Sequence, residues 1–193
     1  MITYWFFRYL ETERLYTPEE VLMTMVPAVL VLAFGYFAGG TLGDFFFKRT
    51  ERGRVFVSIV GVLVGAVLHV FTINIPIENQ SLVLLFLFLT IILISFASPN
   101  LISTVYDITL PEVRITALAV QYSIENGGSA LAPLLAGFIA RESLLQVAIL
   151  AVCTSAWALS TVFLALTAYF VPQDIQTLRE QMGVRAELER QAS

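Results

Sequence analysis

Charged residues are scarce in this chain. Only 13% of its 193 residues are charged and 58% are hydrophobic, whereas a soluble domain carries about 25% charged residues. A water-soluble domain of this size could not bury so much apolar surface, because too much of a small domain is surface. The shortage of charge excludes an ordinary soluble fold and predicts that lipid surrounds the chain.

Cysteine and histidine are almost lacking too. The single cysteine, Cys153, cannot form an intrachain disulfide and fits a small buried hydrophobe. The single histidine, His69, fits either a structural hydrogen bond or a proton-coupling role. Without metal-ligand spacing or a phosphate-binding loop, we expect no metal and no cofactor. Basic residues form no patch beyond one short loop, so nucleic acid is not expected as a partner.

Long apolar runs fill most of the chain. A membrane crossing needs about 20 apolar residues, and its backbone groups must pair within the segment, as they do in a helix. We therefore predict an all-α, polytopic membrane helix bundle. Its five full transmembrane helices are placed at residues 19–44, 55–74, 81–106, 111–140 and 144–171.

The two ends of the chain are predicted to differ from these spans. Residues 1–10 would form a partial helix of about 15 Å, either an interfacial lead-in or the end of a longer helix. Pro172 is expected to end the last span, so that the transmembrane bundle occupies residues 1–172. The polar residues 173–193 would then form a cytoplasmic tail with a short surface helix.

Local signals predict two helix starts and one kink. Residues 17–20 (TPEE) predict a capping box, with proline at the first helical position. Residues 109–112 (TLPE) repeat this pattern ahead of the fourth span. Pro99 removes a backbone donor from the third span and predicts a kink there.

Small residues recur at intervals of four on several spans. This spacing places them on one face of a helix, where another helix can approach closely. Isolated glycines would weaken a helix, so we expect each stripe to have a packed neighbour. The predicted packing glycines are Gly35, Gly39, Gly61, Gly65 and Gly128, with Gly43, Ala132, Ala136 and Ala140 continuing two of the stripes.

Polar side chains cluster at the middle of the fourth predicted span. Glu125 falls near the membrane midplane, where an acid is costly and is by default a functional candidate. The alternative is a hydrogen-bonded acid that joins two helices. The third span also turns polar in its second half. The candidates for substrate contact or ion coupling are Gln121, Tyr122, Glu125, Asn126 and Asn100.

Basic residues favour one side of the membrane. Eight of the 11 lysines and arginines fall in the 44–54 loop, in the loop with Arg114 and in the C-terminal tail. Because basic loops face the cytoplasm, we expect the 44–54 loop and the C-terminus to be cytoplasmic, in the cell (inner) membrane. Five spans then place the N-terminus outside, which suggests an earlier, missing span.

The loop after the first span carries a recognisable motif. Residues 39–54, GGTLGDFFFKRTERGR, resemble the cytoplasmic loop motif of major facilitator superfamily transporters. Phe45 and Phe47 depart from that family's usual base and glycine. Residues 110–140, LPEVRITALAVQYSIENGGSALAPLLAGFIA, are similar to the family's eleventh helix, which often begins with a proline followed by an arginine, a threonine and an alanine.

This resemblance implies the C-terminal half of a transporter, from the end of the seventh helix through the twelfth. It implies secondary active transport of a small solute by alternating access, coupled to an ion or a proton. The implied partners are membrane lipid, a missing N-terminal half and an unidentified small-molecule substrate. The implied conformational loop motif comprises Gly40, Leu42, Gly43, Asp44, Lys48, Arg49, Arg52, Arg54 and Arg114.

The motif also has a physical interpretation of its own. Its cations would anchor at anionic lipid or pair with acids of a partner half, or they would serve only as a topology signal. Because the substrate cavity of this family forms between two halves, the chain alone is expected to expose a polar, glycine-lined face.

Two other classes of function are alternatives to a transporter. A structural or assembly subunit would use its Gly/Ala stripes only to bind other helices and would transport nothing. An intramembrane protease is not expected, because no histidine follows the serine of Gly127-Gly128-Ser129 and the two Asp-containing segments lack the required order. We therefore do not expect an enzyme.

Overall fold

The described part of the chain is entirely helical. The computed structural model describes residues 2–76, 78–141 and 144–192, except for the side chains of residues 2–6 and 192. In chain order its helices are α1 (Ile2–Thr12), α2 (Pro18–Phe47), α3 (Gly53–Asn74), α4 (Gln80–Ser95), α5 (Ala97–Ile108), α6 (Arg114–Ile139) and α7 (Leu145–Ala192), with a short 3-10 turn at Pro111–Val113 before α6.

Within the described residues, four stretches of helix are long and apolar enough to cross a membrane. They are Pro18–Phe47, Gly53–Asn74, Gln80–Ile108, which joins α4 and α5, and Leu145–Gln191. These apolar helices indicate a membrane-embedded protein, and each contains one predicted span. The fourth predicted span does form a helix, α6, but α6 is not among the four.

α6 nevertheless runs from one end of the bundle to the other. α5 ends beside the start of α3, because Arg54 pairs with Asp107. α7 begins beside the end of α3, because Gln146 Nε2 donates to the Ile73 carbonyl at 2.9 Å. α6 connects these two ends, and its 26 residues span about 39 Å at 1.5 Å per residue.

α3 is the central helix, with contacts to α2, α4, α5 and α7. Two of its glycines let α4 approach closely. A methyl group on Gly61 would overlap the Leu93 carbonyl oxygen, and one on Gly65 would lie 2.6 Å from Ile94 Cγ1. Close backbone contact of this kind is how helices pack without a hydrophobic driving force.

α2 turns its glycine stripe inward, toward α4 and α5. A methyl group on Gly35 would overlap Ser95, and one on Gly39 would lie 2.5 Å from the Phe96 Cα. The neighbour that this stripe requires is therefore supplied within the chain.

The third predicted span is interrupted at a single residue. α4 ends at Ser95 and α5 begins at Ala97. Pro99 has no backbone N–H to donate to the Ser95 carbonyl one turn earlier. At the end of α4, the Phe96 N–H donates to the Leu93 carbonyl at 3.2 Å. The interruption lies at Phe96, three residues before the proline, where the backbone keeps helical angles of φ −61° and ψ −28°.

The expectation that Pro172 ends the last helix is wrong. α7 continues through Pro172 to Ala192, so residues 173–192 are not a separate surface helix. Val171 and Ile175, on either side of the proline, are buried in one apolar cluster with Val55 and Leu164. This packing stabilises the helix across Pro172, although proline by itself disfavours a helix interior.

One of the two predicted helix starts is confirmed. Glu20 N donates to Thr17 Oγ1 at 3.3 Å, and Thr17 N donates to Glu20 Oε2 at 2.8 Å, which is a capping box. The prediction for residues 109–112 is wrong. Thr109 Oγ1 donates backward to the Val105 carbonyl at 2.6 Å, and α6 begins at Arg114 without a side-chain cap.

The partial helix at the N-terminus is present as α1. Its residues Tyr9 and Leu10 are buried in an apolar cluster with Ile73 and Ile149. α1 is therefore packed against the ends of α3 and α7, at the end of the bundle opposite Arg54.

Candidate functional site

Arg54 is the centre of a charge cluster at one end of the bundle. Its Nε and Nη2 donate to Asp44 Oδ1 at 3.1 and 2.8 Å, and its Nη1 donates to Asp107 Oδ2. Its guanidinium also lies 4.1 Å from the centre of the Phe47 ring. The Arg54 side chain, only 15% exposed, thereby joins the ends of α2 and α5 to the start of α3.

The other residues of the predicted loop motif fall into two groups, an inner set that packs against α5 and an outer set that is exposed. Gly43 lies against Asn100, and a methyl group on Gly40 would touch Pro99 at 3.6 Å. Leu42 is exposed. The exposed cations of the outer set are Lys48, Arg49 and Arg52.

Arg114 lies apart from the loop motif. Its Nη2 donates to the Tyr106 carbonyl at 3.2 Å, and its guanidinium lies 5.2 Å from the centre of the Tyr106 ring. Arg114 therefore fastens the start of α6 to the end of α5.

Two further ion pairs connect the end of α7 to this cluster. Arg179 Nη1 binds Glu51 Oε1 at 2.6 Å, and Arg185 Nη1 binds Glu112 Oε1 at 2.6 Å. The pKa of Glu112 lies below its ordinary value. The larger cause is a backbone hydrogen bond to its carboxylate, and the second is the hydrogen bond from Arg185. The long α7 thus reaches both the α2–α3 loop and the connection between α5 and α6.

Sequence reasoning missed Asp107 as the partner of Arg54. A signal did exist. Arg54 opens the second span and Asp107 follows the third, so antiparallel spans bring both to the same end of the bundle. An acid and a base at one membrane boundary are natural partners.

The polar middle of α6 is largely exposed. Tyr122, Glu125 and Asn126 are exposed, and Asn126 Nδ2 donates back to the Tyr122 carbonyl at 2.8 Å. Gln121 Oε1 is buried without a hydrogen-bond partner among the described residues. Gln121, Tyr122, Glu125 and Asn126 share one side of the helix, and we call these four side chains the polar face of α6.

Gly128 does not pack within the described chain, so its predicted role in helix packing stays a prediction for a partner outside this chain. A methyl group on Gly128 would meet nothing within 4 Å, and the same holds for Gly127. Of the small-residue stripe on α6, Ala136 is the buried member. The stripe therefore packs in its second half, and its first half stays open beside Glu125.

Asn100 is separated from the other substrate candidates. Its side chain is 1% exposed, and its Nδ2 donates to the carbonyls of Gly39 and Phe96 at 2.9 and 2.8 Å. Asn100 therefore joins α2 to the break between α4 and α5, while the other four candidates lie together on α6.

His69 and Cys153 are both buried in the core of the bundle. The His69 ring meets the Trp157 ring edge to face, with 5.0 Å between centres. His69 Nε2 has no hydrogen-bond partner among the described residues, so the structural hydrogen bond considered for it is not formed there. The prediction that Cys153 is a buried hydrophobe is confirmed.

Glu13 and Arg14 form a second polar cluster at the opposite end of the bundle. Arg14 donates from Nη1 to the Ile75 carbonyl at 2.6 Å, from Nη2 to the Ile73 carbonyl at 3.0 Å and from Nε to Tyr9 Oη at 2.8 Å. The Glu13 carboxylate accepts from Gln146 N at 3.0 and 3.1 Å. A cation thus caps the last carbonyls of α3 and an anion caps the first N–H of α7, as the helix dipoles favour.

No family model, curated protein or solved structure matches this chain. The class that the fold defines is an all-helical, membrane-embedded protein. The resemblance to the major facilitator superfamily remains a prediction from the two motifs.

Proposed function

We propose that this chain is part of a secondary active transporter of small solutes, built like the C-terminal half of a major facilitator. In this proposal α6 is a fifth membrane crossing that lines the substrate path. The observation that carries the proposal is the polar face of α6, which is exposed on a chain whose other long helices are apolar.

An acid at this position needs something other than lipid beside it. Glu125 lies near the middle of α6, which connects the two ends of the bundle. Ionisable groups at membrane depth face a bundle interior or a water-filled cavity, because exposure to hydrocarbon is costly. A water-lined path between α6 and a second set of helices meets this requirement.

The glycines beside Glu125 support the same arrangement. Gly127 and Gly128 leave open space on α6, which lets another helix approach closely. A second half of the transporter would cover this face and complete the cavity. The substrate would bind between Glu125, Gln121, Tyr122 and Asn126 and that second half.

The charge cluster around Arg54 supports a cytoplasmic location for its end of the bundle. The exposed cations of the 44–54 loop, Arg114, Arg179 and Arg185 all lie at this end. Basic residues are enriched on the cytoplasmic side of membranes. In this orientation Arg54 would hold α2, α3 and α5 together at the cytoplasmic mouth.

The proposal is tested by replacing Glu125. We expect Glu125→Gln to abolish the pH change that a transported solute evokes in vesicles from cells that produce this chain together with the second half of the transporter. A pH-sensitive dye would be read after addition of amino acids, sugars, organic acids and organic cations in turn. Glu189→Gln, which removes an exposed acid near the end of α7, is the matched control at equal membrane abundance. An unchanged response in Glu125→Gln would remove this acid from the mechanism.

An assembly subunit is the second candidate, favoured by the open space at Gly127 and Gly128. Such a subunit would need the glycine surface and not the acid. Gly128→Leu would then abolish co-purification with its helical partner, while Glu125→Gln would leave both partner and cellular function unchanged. The transport proposal predicts instead that Glu125→Gln abolishes the cellular function.

A further inference from the structure

The α2–α3 loop carries three exposed cations that no described carboxylate pairs. They are Lys48, Arg49 and Arg52. The acids nearest to them are already occupied, since Asp44 binds Arg54 and Glu51 binds Arg179. The loop therefore presents an uncompensated positive surface, although the chain as a whole has a net charge of -4.

This positive surface lies at the boundary of the apolar helices. α2 ends at Phe47 and α3 begins at Gly53, so the loop is a five-residue turn between two stretches that can cross a membrane. Its cations cannot lie far from the level of the lipid headgroups. Cations at that level gain roughly 1 kcal/mol each from an anionic membrane surface.

Aromatic side chains fix the depth of one of these cations. Phe45 and Phe46 are both exposed beside the turn. The Arg49 guanidinium lies 4.5 Å from the centre of the Phe45 ring, which is a cation–π arrangement. Phe45 thus holds Arg49 at the end of the apolar surface, with its N–H donors free to reach a headgroup phosphate.

We propose that Lys48, Arg49 and Arg52 form a binding surface for the phosphate headgroups of anionic phospholipids. Arg54 is not part of this surface, because Asp44 and Asp107 occupy its guanidinium. The proposal requires only that the apolar helices be embedded in a bilayer, and it is independent of transport.

The test measures lipid selectivity on the whole chain in bilayers. Electron spin resonance of spin-labelled phosphatidylglycerol and phosphatidylcholine gives the fraction of each lipid held at the protein surface. The wild-type chain should prefer phosphatidylglycerol. Each single neutralisation to Gln should weaken that preference about fivefold or less, and the triple variant Lys48→Gln/Arg49→Gln/Arg52→Gln at least about tenfold.

Two control variants separate this surface from a general effect of charge. Arg8→Gln/Arg141→Gln/Arg190→Gln removes the same charge elsewhere and should keep the preference. Lys48→Arg/Arg49→Lys/Arg52→Lys retains the charge of the loop and should also keep it. A preference that falls equally in the first control overturns the proposal, as does a preference that survives in the triple neutralised variant.

Two measurements on the wild-type chain need no variant. The preference should decline strongly between about 50 and 500 mM NaCl, because exposed charges are screened. Soluble glycerol phosphate at millimolar concentration should not displace the lipid. A salt-independent preference, or displacement by the soluble phosphate, would overturn a site built for lipid headgroups.

Discussion

Single arginines organise both ends of this bundle, and they do so in different ways. Arg54 uses two carboxylates, one from Asp44 on the preceding helix and one from Asp107, which is distant in the sequence. Arg14 uses backbone carbonyls at the end of α3 together with the hydroxyl of Tyr9. The planar guanidinium suits both tasks, because it presents several donors in a fixed fork. A lysine at either position could not reach all of the same acceptors.

The contribution of Arg54 can be measured by removing it. We expect Arg54→Met to lower the free energy of unfolding by about 2 kcal/mol, because Asp107 loses its partner while only 22% exposed. Reversible unfolding in mixed micelles would measure the change. Arg52→Met, which removes an exposed cation without a described carboxylate partner, should change stability by less than about 0.5 kcal/mol.

A double-mutant cycle isolates the bond to Asp107. Arg54→Met combined with Asp107→Asn should cost less than the sum of the two single changes, because the unpaired charge is gone. Strict additivity would mean that the two side chains do not interact in the folded protein.

Removal of Arg14 should be at least as costly. Arg14→Met leaves several carbonyls at the end of α3 without their donor, so we expect a loss of about 3 kcal/mol in the same unfolding measurement. Arg8→Met, at an exposed position of α1, is the control. A loss no larger than that of the control would show that water replaces Arg14 without cost.

At the scale of the helices, the local sequence pattern predicted which segments are helical better than it predicted where each helix begins and ends. Hydropathy located the four apolar stretches, and the residues around Pro18 marked the start of α2. The prediction that Pro172 ends a helix was wrong, because burial of Val171 and Ile175 outweighs the tendency of proline to break a helix. Thr109 misled because its hydroxyl bonds backward to Val105 rather than forward to the next helix.

Glycine spacing predicted close helix contacts on α2, α3 and α6, and within the chain the glycines of α2 and α3 make them. Gly39 lies against Phe96, whereas Gly128 meets nothing within 4 Å. The two stripes look alike in the sequence. The difference depends on how far apart α6 and its neighbours lie, which only the packed structure reveals.

The packed and open glycines should respond oppositely to alanine. Gly39→Ala places a methyl group against the Phe96 backbone, so we expect a loss of about 1–3 kcal/mol from overpacking. Gly128→Ala adds a methyl group in open space and should be neutral or stabilising by up to about 1 kcal/mol, because alanine favours the helix. Thermal unfolding in detergent compares the two, and equal effects would contradict the described packing.

At the scale of the whole molecule, composition was sufficient to predict a helical membrane bundle. The polar clusters were harder to predict from the sequence. The bonds from Arg14 to Ile75 and from Arg54 to Asp107 join residues that are far apart in the chain. Glu125 and its neighbours were identifiable from their polarity within a long helix. The resemblance implied that the chain alone exposes a polar, glycine-lined face, and Tyr122, Glu125 and Asn126 are exposed on α6.

The most direct measurement of this account is the sidedness of the ends of α6. In a Cys153→Ser background, single cysteines at Lys48, Glu78, Glu112 and Arg141 would be labelled with a membrane-impermeant maleimide. We expect Glu78→Cys and Arg141→Cys to react on intact cells, and Lys48→Cys and Glu112→Cys to react only after permeabilisation. If Glu112→Cys and Arg141→Cys reacted from the same side, α6 would not cross the membrane and the proposed substrate path would be wrong.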